Sequence, residues 1–359
     1  MLFGHFTRHS TVFRNQIAVE GVPVNTSKPN APKQAVLLLA HGTPETVEQI
    51  PEYLRNVVSG RPVPQAVVEE IQHRYALIGH SPLTEITLEQ ARLVEKELAA
   101  GGQPVPVYVG MRNWRPYIPA VVRQMRDEGV EEAAVICMAP QNSRTSVGLY
   151  RRAVEAEAAG LRIDFTPGWA QHPLLAEAFA ERLRPALSRL STEVGQPVPV
   201  LFTAHSVPVR TVAPPAAGET GVQPRLWPSQ GAGPETPDPY AADARQTAAL
   251  VAALVPSIPQ WWFAFQSQGA SGGPNSWIGP TVEETLEVIA ASGVRTLMLQ
   301  PIGFLCDHVE ILYDVDILFR GIADKLGVRL ERPESLNASA TLAKAVADLA
   351  RQGLARLNS

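Results

Sequence analysis

The chain has 359 residues, 45% of them apolar, which is enough for two cores of ordinary domain size. Its 31 Lys and Arg against 35 Asp and Glu give a net charge of −4 with no basic block that could track a phosphate backbone, which argues against nucleic acid as a partner. No apolar run reaches the roughly 18 residues of a membrane span, and the only two cysteines, Cys137 and Cys306, lack any Cys-x-x-Cys spacing and give no support for a zinc ribbon, a disulfide framework or an iron–sulfur site, so a reduced, cytoplasmic compartment is expected.

Residues 1–34 lack apolar periodicity and are expected to form a disordered extension. Arg8 and Arg14 precede the first acid, Glu20, as in a transit peptide, but the apolar core of a secretory signal is missing. Beyond this point short apolar runs alternate with amphipathic stretches. Strands are predicted at Ala35–Ala40, Val105–Val109, Ala133–Ala139, Arg162–Phe165, Pro199–Thr203, Gln260–Phe265 and Thr296–Gln300. Helices are predicted at Ile86–Ala99, Tyr117–Asp127, Leu174–Leu190, Ala241–Leu254, Val282–Ala291 and, last, Ala338–Leu357. The alternation predicts an α/β fold with parallel sheets. Val212–Pro239, rich in Pro, Gly, Ala and Thr, reads as a long surface insertion.

An internal echo organises these elements. Leu37-Leu-Leu-Ala-His41-Gly-Thr-Pro44 resembles Leu201-Phe-Thr-Ala-His205-Ser-Val-Pro208, and Val135-Ile-Cys-Met-Ala-Pro140 is answered at similar spacing by Leu297-Met-Leu-Gln-Pro301. Two similar βαβ halves explain both. Ligands of such sheets bind outside the carboxyl ends of the strands, where His41, His205, Gln266 and Pro301 fall.

An imidazole at a strand tip can hold a divalent metal or accept a proton near neutral pH, and it can equally be a loop-bonding histidine. That choice stays open for His205 and His41. In Gly303-Phe-Leu-Cys-Asp307-His308-Val309-Glu310-Ile-Leu-Tyr313-Asp314-Val-Asp316 a continuous helix would align Asp307, Glu310 and Asp314 on one face as a carboxylate ladder for protons or metal ions. The same acids also suit a helix start, with Asp307 and Glu310 as a capping pair. Trp261, Trp262, Phe263, Phe265, Trp277 and Trp114 with Tyr117 crowd the same edge, either lining a pocket for a flat macrocycle or filling the core. Arg74, Tyr75 and Ser81 offer donors to carboxylates, or are surface loop residues.

Taken in order, Ala-His-Gly-Thr-Pro44, Arg74-Tyr-x-x-Ile-Gly-x-Ser-Pro-Leu83, Gly110-Met-Arg-x-Trp114-x-Pro-Tyr-Ile, Thr203-Ala-His205-Ser-Val-Pro208, Phe265-Gln-Ser267, Trp277-Ile-Gly-Pro280, Pro301-Ile-Gly-Phe304-x-x-Asp-His-x-Glu310-x-Leu-Tyr-Asp314 and Arg332-Pro-Glu-Ser-Leu-Asn337 resemble ferrochelatase from about Ala35 to Leu357. The resemblance implies two Rossmann-like domains whose parallel sheets face one another across a porphyrin-binding cleft. The first would span 35–167, with 335–359 packing back on it, and the second 168–334, with the insertion at 212–239. It implies a lyase that inserts Fe2+ into coproporphyrin III or protoporphyrin IX in heme biosynthesis. His205 and Glu310 would be catalytic and metal-binding, His41 a second-face metal contact, and Asp307 and Asp314 the acidic ladder. Arg61, Arg74, Tyr75, Ser81, Trp114 and Phe265 would hold the porphyrin.

Iron is then a substrate, with no tightly bound cofactor and no iron–sulfur cluster expected. The expected partners are porphyrin, ferrous iron and, transiently, neighbouring heme-pathway enzymes. Departures from the family pattern are His41 where bacterial members often carry tyrosine, Leu318 where some have an acid, and Val58-Ser59 where some have paired arginines, which leaves Arg61 as the nearest cation. Two rival readings are a cobalt or nickel sirohydrochlorin chelatase and a non-catalytic two-lobed tetrapyrrole binder.

Overall fold

A computed structural model describes residues 33–143, 146–209, 238–268 and 277–359. The expected N-terminal extension up to residue 32 and the expected insertion up to residue 237 lie outside the described residues. Two four-stranded parallel sheets carry the chain. The first is built from β1 (Gln34–Ala40), β2 (Val107–Met111), β3 (Glu132–Cys137) and β4 (Arg162–Thr166), in the order β2-β1-β3-β4. The second is built from β5 (Val200–His205), β6 (Trp261–Gln266), β7 (Thr296–Pro301) and β8 (Arg329–Glu331), in the order β6-β5-β7-β8. The identical order is the structural form of the sequence echo: β1 and β5 are equivalent central strands, and His41 and His205 stand at their carboxyl ends.

Why the central strands are apolar throughout is visible in their packing. Val36 and Leu38 face one core and Ala35, Leu37 and Leu39 another, so period-two alternation delivers apolar residues to both faces and no polar stripe survives. In β5, Val200, Phe202 and Ala204 share the first of these cores while Leu201 faces a third. The inner faces of the two sheets therefore meet in one continuous core.

That core is filled by α3 (Leu83–Ala100), α6 (Pro173–Val194), α7 (Tyr240–Leu254) and the last helix, α11 (Ala340–Leu357). The outer layers are α4 (Ile118–Asp127) and α5 (Val147–Glu155) on the first sheet, and α8 (Val282–Ala291) and α10 (Arg320–Lys325) on the second. Helix α11 starts at a Ser339 cap that accepts from Leu342 N, and it packs on α3, α6, β3 and β4.

Short elements around the strand ends escape the periodicity argument. The helices α1 (Ile50–Val57) and α2 (Gln65–Ile78) form a small layer whose core is Ile50, Tyr53, Leu54, Val68, Tyr75 and Trp114. After β7 come α9 (Val309–Leu312) and a π-helix, Asp314–Phe319. Val309 packs against the α1–α2 layer, so the segment bearing Glu310 is docked on the first half of the chain.

Two glycines permit the close approaches this needs. Gly42 has φ +81, and a Cβ there would lie 2.9 Å from Trp114 Cβ. A Cβ on Gly303 would lie 2.9 Å from Ala204 Cβ, blocking the chain as it leaves β7 beside β5.

Candidate active site

The deciding geometry is an imidazole from a strand tip meeting a carboxylate from a helix start. His205 ends β5, and its Nε2 lies 3.4 Å from Oε1 of Glu310 in the first turn of α9. Both side chains are about one-third exposed, at 32% each, so the pair is open to a substrate. Nδ1 of His205 donates to the Ser206 carbonyl, which aims Nε2 at Glu310, and Tyr240 donates its hydroxyl to the His205 carbonyl at 2.8 Å. On the other carboxylate oxygen, Oε2, His308 Nε2 stands at 3.6 Å, while His308 Nδ1 bonds the Cys306 carbonyl at 3.0 Å. Phe304 packs edge-on against His205 and lies 4.6 Å, centroid to centroid, from His308.

The Glu310 backbone is also held. Gln266, buried at the end of β6, donates Nε2 to the Glu310 carbonyl at 3.1 Å, and Thr203 Oγ1 donates to Gln266 Oε1 at 2.6 Å. Strands β5 and β6 thus reach the segment that bears Glu310 through one amide. Asp314 opens the π-helix and is nearly buried; Ser267 donates to it and Arg74 Nη1 lies 3.4 Å away.

These contacts set the charges. Burial alone would lower the His205 pKa, but the Glu310 carboxylate, the Ser206 carbonyl and Asp314 push it up to about 9. Burial would raise Glu310, yet His205 and His308 hold it well below the usual carboxylate range. Asp314 is raised to about 6 by burial and then by Glu310, against the pull of Ser267, Arg74 and His205. The resting site is therefore an imidazolium paired with a carboxylate, with a second carboxyl nearby that titrates within reach of neutral pH.

His41 approaches from the first sheet. Burial, then Arg112, lowers it to about 3, and Glu310, His308 and His205 are close enough to act on its charge as well. It remains a neutral imidazole, with the Asn113 amide nitrogen 3.0 Å from Nε2 and Tyr53 edge-on. Among the described residues no group of three or more His, Cys, Asp or Glu side chains forms a closed metal cage. The donors meet pairwise, through Glu310.

Several expectations need correction. Asp307 is not a rung of a ladder: it precedes α9, and its carboxylate is taken up by Arg332 at 3.2 Å, Ser335 at 2.7 Å and Asn337 at 2.8 Å. It does not cap the helix either, because His308 is the N-cap and makes no side-chain cap bond. The continuous helical face fails because the chain shifts to a π-helix at Asp314, leaving Glu310 and Asp314 as the only rungs of that expected ladder to stay together.

Trp114 and Phe265 belong to buried clusters. Trp114 is 2% exposed in the α1–α2 core and Phe265 is fully buried against Phe263 and Tyr240. Tyr75 is buried with its hydroxyl 2.8 Å from Thr43 Oγ1, and Ser81 is buried as well. Arg74 already holds Glu70 at 2.9 Å and covers the Tyr313 ring at 4.9 Å, whereas Arg61 is exposed and donates to the Val58 carbonyl. His308, Thr203 and Arg332 stand within the motifs quoted above without a role of their own, and Asn113 at an unspecified position of one of them. Each is polar and each is recognisable only by its partner.

Residues 33–354 match the family model described as ferrochelatase. The chain belongs to the ferrochelatase family. A ferrochelatase of Acidobacterium capsulatum is 57% identical over 328 residues, covering 91% of this chain and 96% of that one. A coproporphyrin III ferrochelatase of Mycolicibacterium vanbaalenii is 35% identical over 325 residues, covering 88% of each. Among solved structures, SirB from Bacillus subtilis with Fe3+ superposes with a TM-score of 0.52 at 14% identity, over 91% of this chain and 97% of that one, a likeness of fold alone. This ferrochelatase family member is a lyase that inserts ferrous iron into a porphyrin in heme synthesis. The sirohydrochlorin and non-catalytic readings give way to that activity. No helix among the described residues is long and apolar enough to cross a membrane.

Proposed function

We propose that His205 and Glu310 carry the metallation, with His205 presenting ferrous iron and Glu310 taking the pyrrole protons. The observation that supports this is the 3.4 Å approach of His205 Nε2 to Glu310 Oε1 in a pair open to solvent. Metallation replaces two pyrrole N–H protons by one Fe2+, so the site must release two protons for each ion inserted. Glu310 is ionised at rest and fit to accept a proton. His205 gives up its own proton to bind iron and is free to take one again once the ion has passed to the macrocycle. Asp314, held near 6, passes protons from Glu310 to solvent. His41, neutral and on the other half of the chain, meets the metal from the opposite face of the ring.

Coproporphyrin III is the proposed macrocycle, since relatives named for that substrate match over 88% of the chain. Exposed Arg61 is the cation proposed to meet its peripheral carboxylates. The protein holds no cofactor tightly, and its two free, buried thiols suit the cytoplasm. Transient docking with the enzymes that supply and consume the porphyrin completes this proposal.

The test is anaerobic incubation of the purified protein with ferrous iron and each porphyrin, followed by absorbance. Coproporphyrin III is expected to be metallated faster than protoporphyrin IX, and Glu310→Gln and His205→Ala to abolish turnover with the fold retained. Full turnover by either variant removes that residue from the mechanism.

A further inference from the structure

We infer that Arg332 is a positioning residue for Glu310, acting as a clamp on both ends of the segment that carries it. The inference rests on the role proposed for Glu310. Arg332 follows β8, far along the chain from α9, and its side chain is only 12% exposed. Its guanidinium grips Asp316 in a fork, Nε to Oδ1 and Nη2 to Oδ2, both at 2.7 Å. The same Nη2 reaches Asp307 Oδ1 at 3.2 Å. Asp307 lies just before α9 and Asp316 lies within the π-helix, so one planar cation bridges the entry and the exit of the element that presents Glu310.

The loop that carries Arg332 continues the hold. Ser335 and Asn337 donate to the two oxygens of Asp307, and the Asp307 amide donates to Asn337 Oδ1 at 2.9 Å. Asn337 takes a left-handed conformation, φ 46, to offer both ends of its amide to the same residue. Its carbonyl accepts from buried Gln90 on α3 at 2.9 Å, which ties the clamp to the first half of the chain.

The short α9 has one turn and no side-chain cap, and a π-helix, a rarely used geometry, continues it. Local hydrogen bonding does not hold such a segment in place by itself. Without the guanidinium, Asp307 and Asp316 would be two part-buried carboxylates with no shared cation, and the segment between them would relax. Glu310 would then leave its 3.4 Å register with His205, and misplacement of about 1 Å is enough to slow a reaction about a hundredfold.

The experiment compares Arg332→Gln, Arg332→Lys and Asp316→Asn with wild type, using ferrous iron and the better porphyrin, and reads kcat, porphyrin KM and thermal midpoint. Arg332→Gln is expected to lower kcat at least about tenfold with KM within about twofold, since the macrocycle surface is untouched while the proton acceptor moves. Arg332→Lys, which keeps the charge without the fork, is expected to recover part of kcat.

Wild-type kcat in a folded Arg332→Gln, or a kcat loss matched by an equal rise in KM, overturns the inference. Should Arg332→Gln not fold, Arg332→Lys and Asp316→Asn decide by the same two criteria. Glu310→Gln is run alongside. If it is inactive while the clamp variants turn over normally, the clamp alone is wrong; if it is fully active, the role of Glu310 fails and the clamp with it.

Discussion

Arg74 Nη1 stands 3.4 Å from Asp314 Oδ1, joining α2 of the first half to the π-helix of the second directly beside Glu310. The same guanidinium covers Tyr313, the residue that precedes Asp314. An arginine of the first half thus touches the residue proposed as the proton exit.

Removing that cation should show in the pH profile. Arg74 pulls the Asp314 pKa down from where burial and Glu310 would take it, so Arg74→Ala lets it rise above its value of about 6. A carboxyl that is slower to ionise passes protons onward only at higher pH. The acidic limb of kcat is expected to move to higher pH, and because the Asp314 side chain is only 4% exposed, loss of its cation should also lower the thermal midpoint at neutral pH. A kcat profile from pH 5 to 9 checks it, and an unmoved acidic limb counts against Asp314 as the exit.

His205 yields a prediction of opposite sense. Its folded pKa, about 9, lies above the ordinary 6.5 of histidine, so its charged pairing with Glu310 stabilises the fold fully below about pH 6.5 and fades as pH rises through 9. The thermal midpoints of metal-free wild type and His205→Ala should differ most near pH 6 and converge above pH 9. Iron competes with the same proton, so affinity for Co2+ as a stable surrogate should rise by up to about tenfold per pH unit between 7 and 9. Calorimetry in buffers of different ionisation enthalpy should report about one proton released per ion bound. No release at pH 7 would mean that the imidazole is not the ligand.

The way these residues were legible in the sequence follows from what periodicity can carry. Central strands buried on both faces announce themselves as apolar runs, and a histidine at the end of such a run stands at the ligand edge without further information. Hence β1 and β5, His41 and His205 could be read directly. Strand limits were less clear: β2 runs Val107–Met111 rather than Val105–Val109, because Pro104 and Pro106 sit beside an apolar residue that looks like strand.

Glu310 is visible in the sequence, but the expected ladder through Asp307 does not form, for a physical reason. A ladder assumes 3.6 residues per turn from Asp307 onward, whereas the helix starts at Val309 and changes pitch at Asp314. Arg332, Ser335 and Asn337 claim Asp307 from a distant loop, and no local pattern encodes that. Trp114 and Phe265 illustrate the remaining difficulty. An aromatic near the ligand edge can point into the core or away from it, and only the tertiary packing decides.

Gln266 offers a test of how the site is braced. Its amide joins Thr203 on β5 to the Glu310 carbonyl, and it is 1% exposed. Gln266→Met conserves volume while leaving the Thr203 hydroxyl and the Glu310 carbonyl without that amide. A stability loss of about 1–3 kcal/mol is expected in urea unfolding, from buried polar groups left unpaired. Turnover should fall further than stability explains, since the lost bond is to Glu310 itself. Wild-type kcat in this variant would show that the backbone of Glu310 needs no such tether.

Trp114 and Phe265 separate packing from recognition. Both are buried in apolar clusters, Trp114 against Tyr53 and Phe265 against Phe263 and Tyr240, and neither faces solvent. Truncating either to Ala opens a cavity that its neighbours refill only in part, at a cost of about 3–5 kcal/mol. Leucine retains much of the volume and should cost less. Trp114→Leu and Phe265→Leu are therefore expected to lower the urea midpoint while leaving the porphyrin KM of the folded enzyme within about twofold of wild type. A KM raised tenfold at unchanged stability would place the ring against the macrocycle after all, and would require the α1–α2 layer or β6 to reorganise when the porphyrin binds.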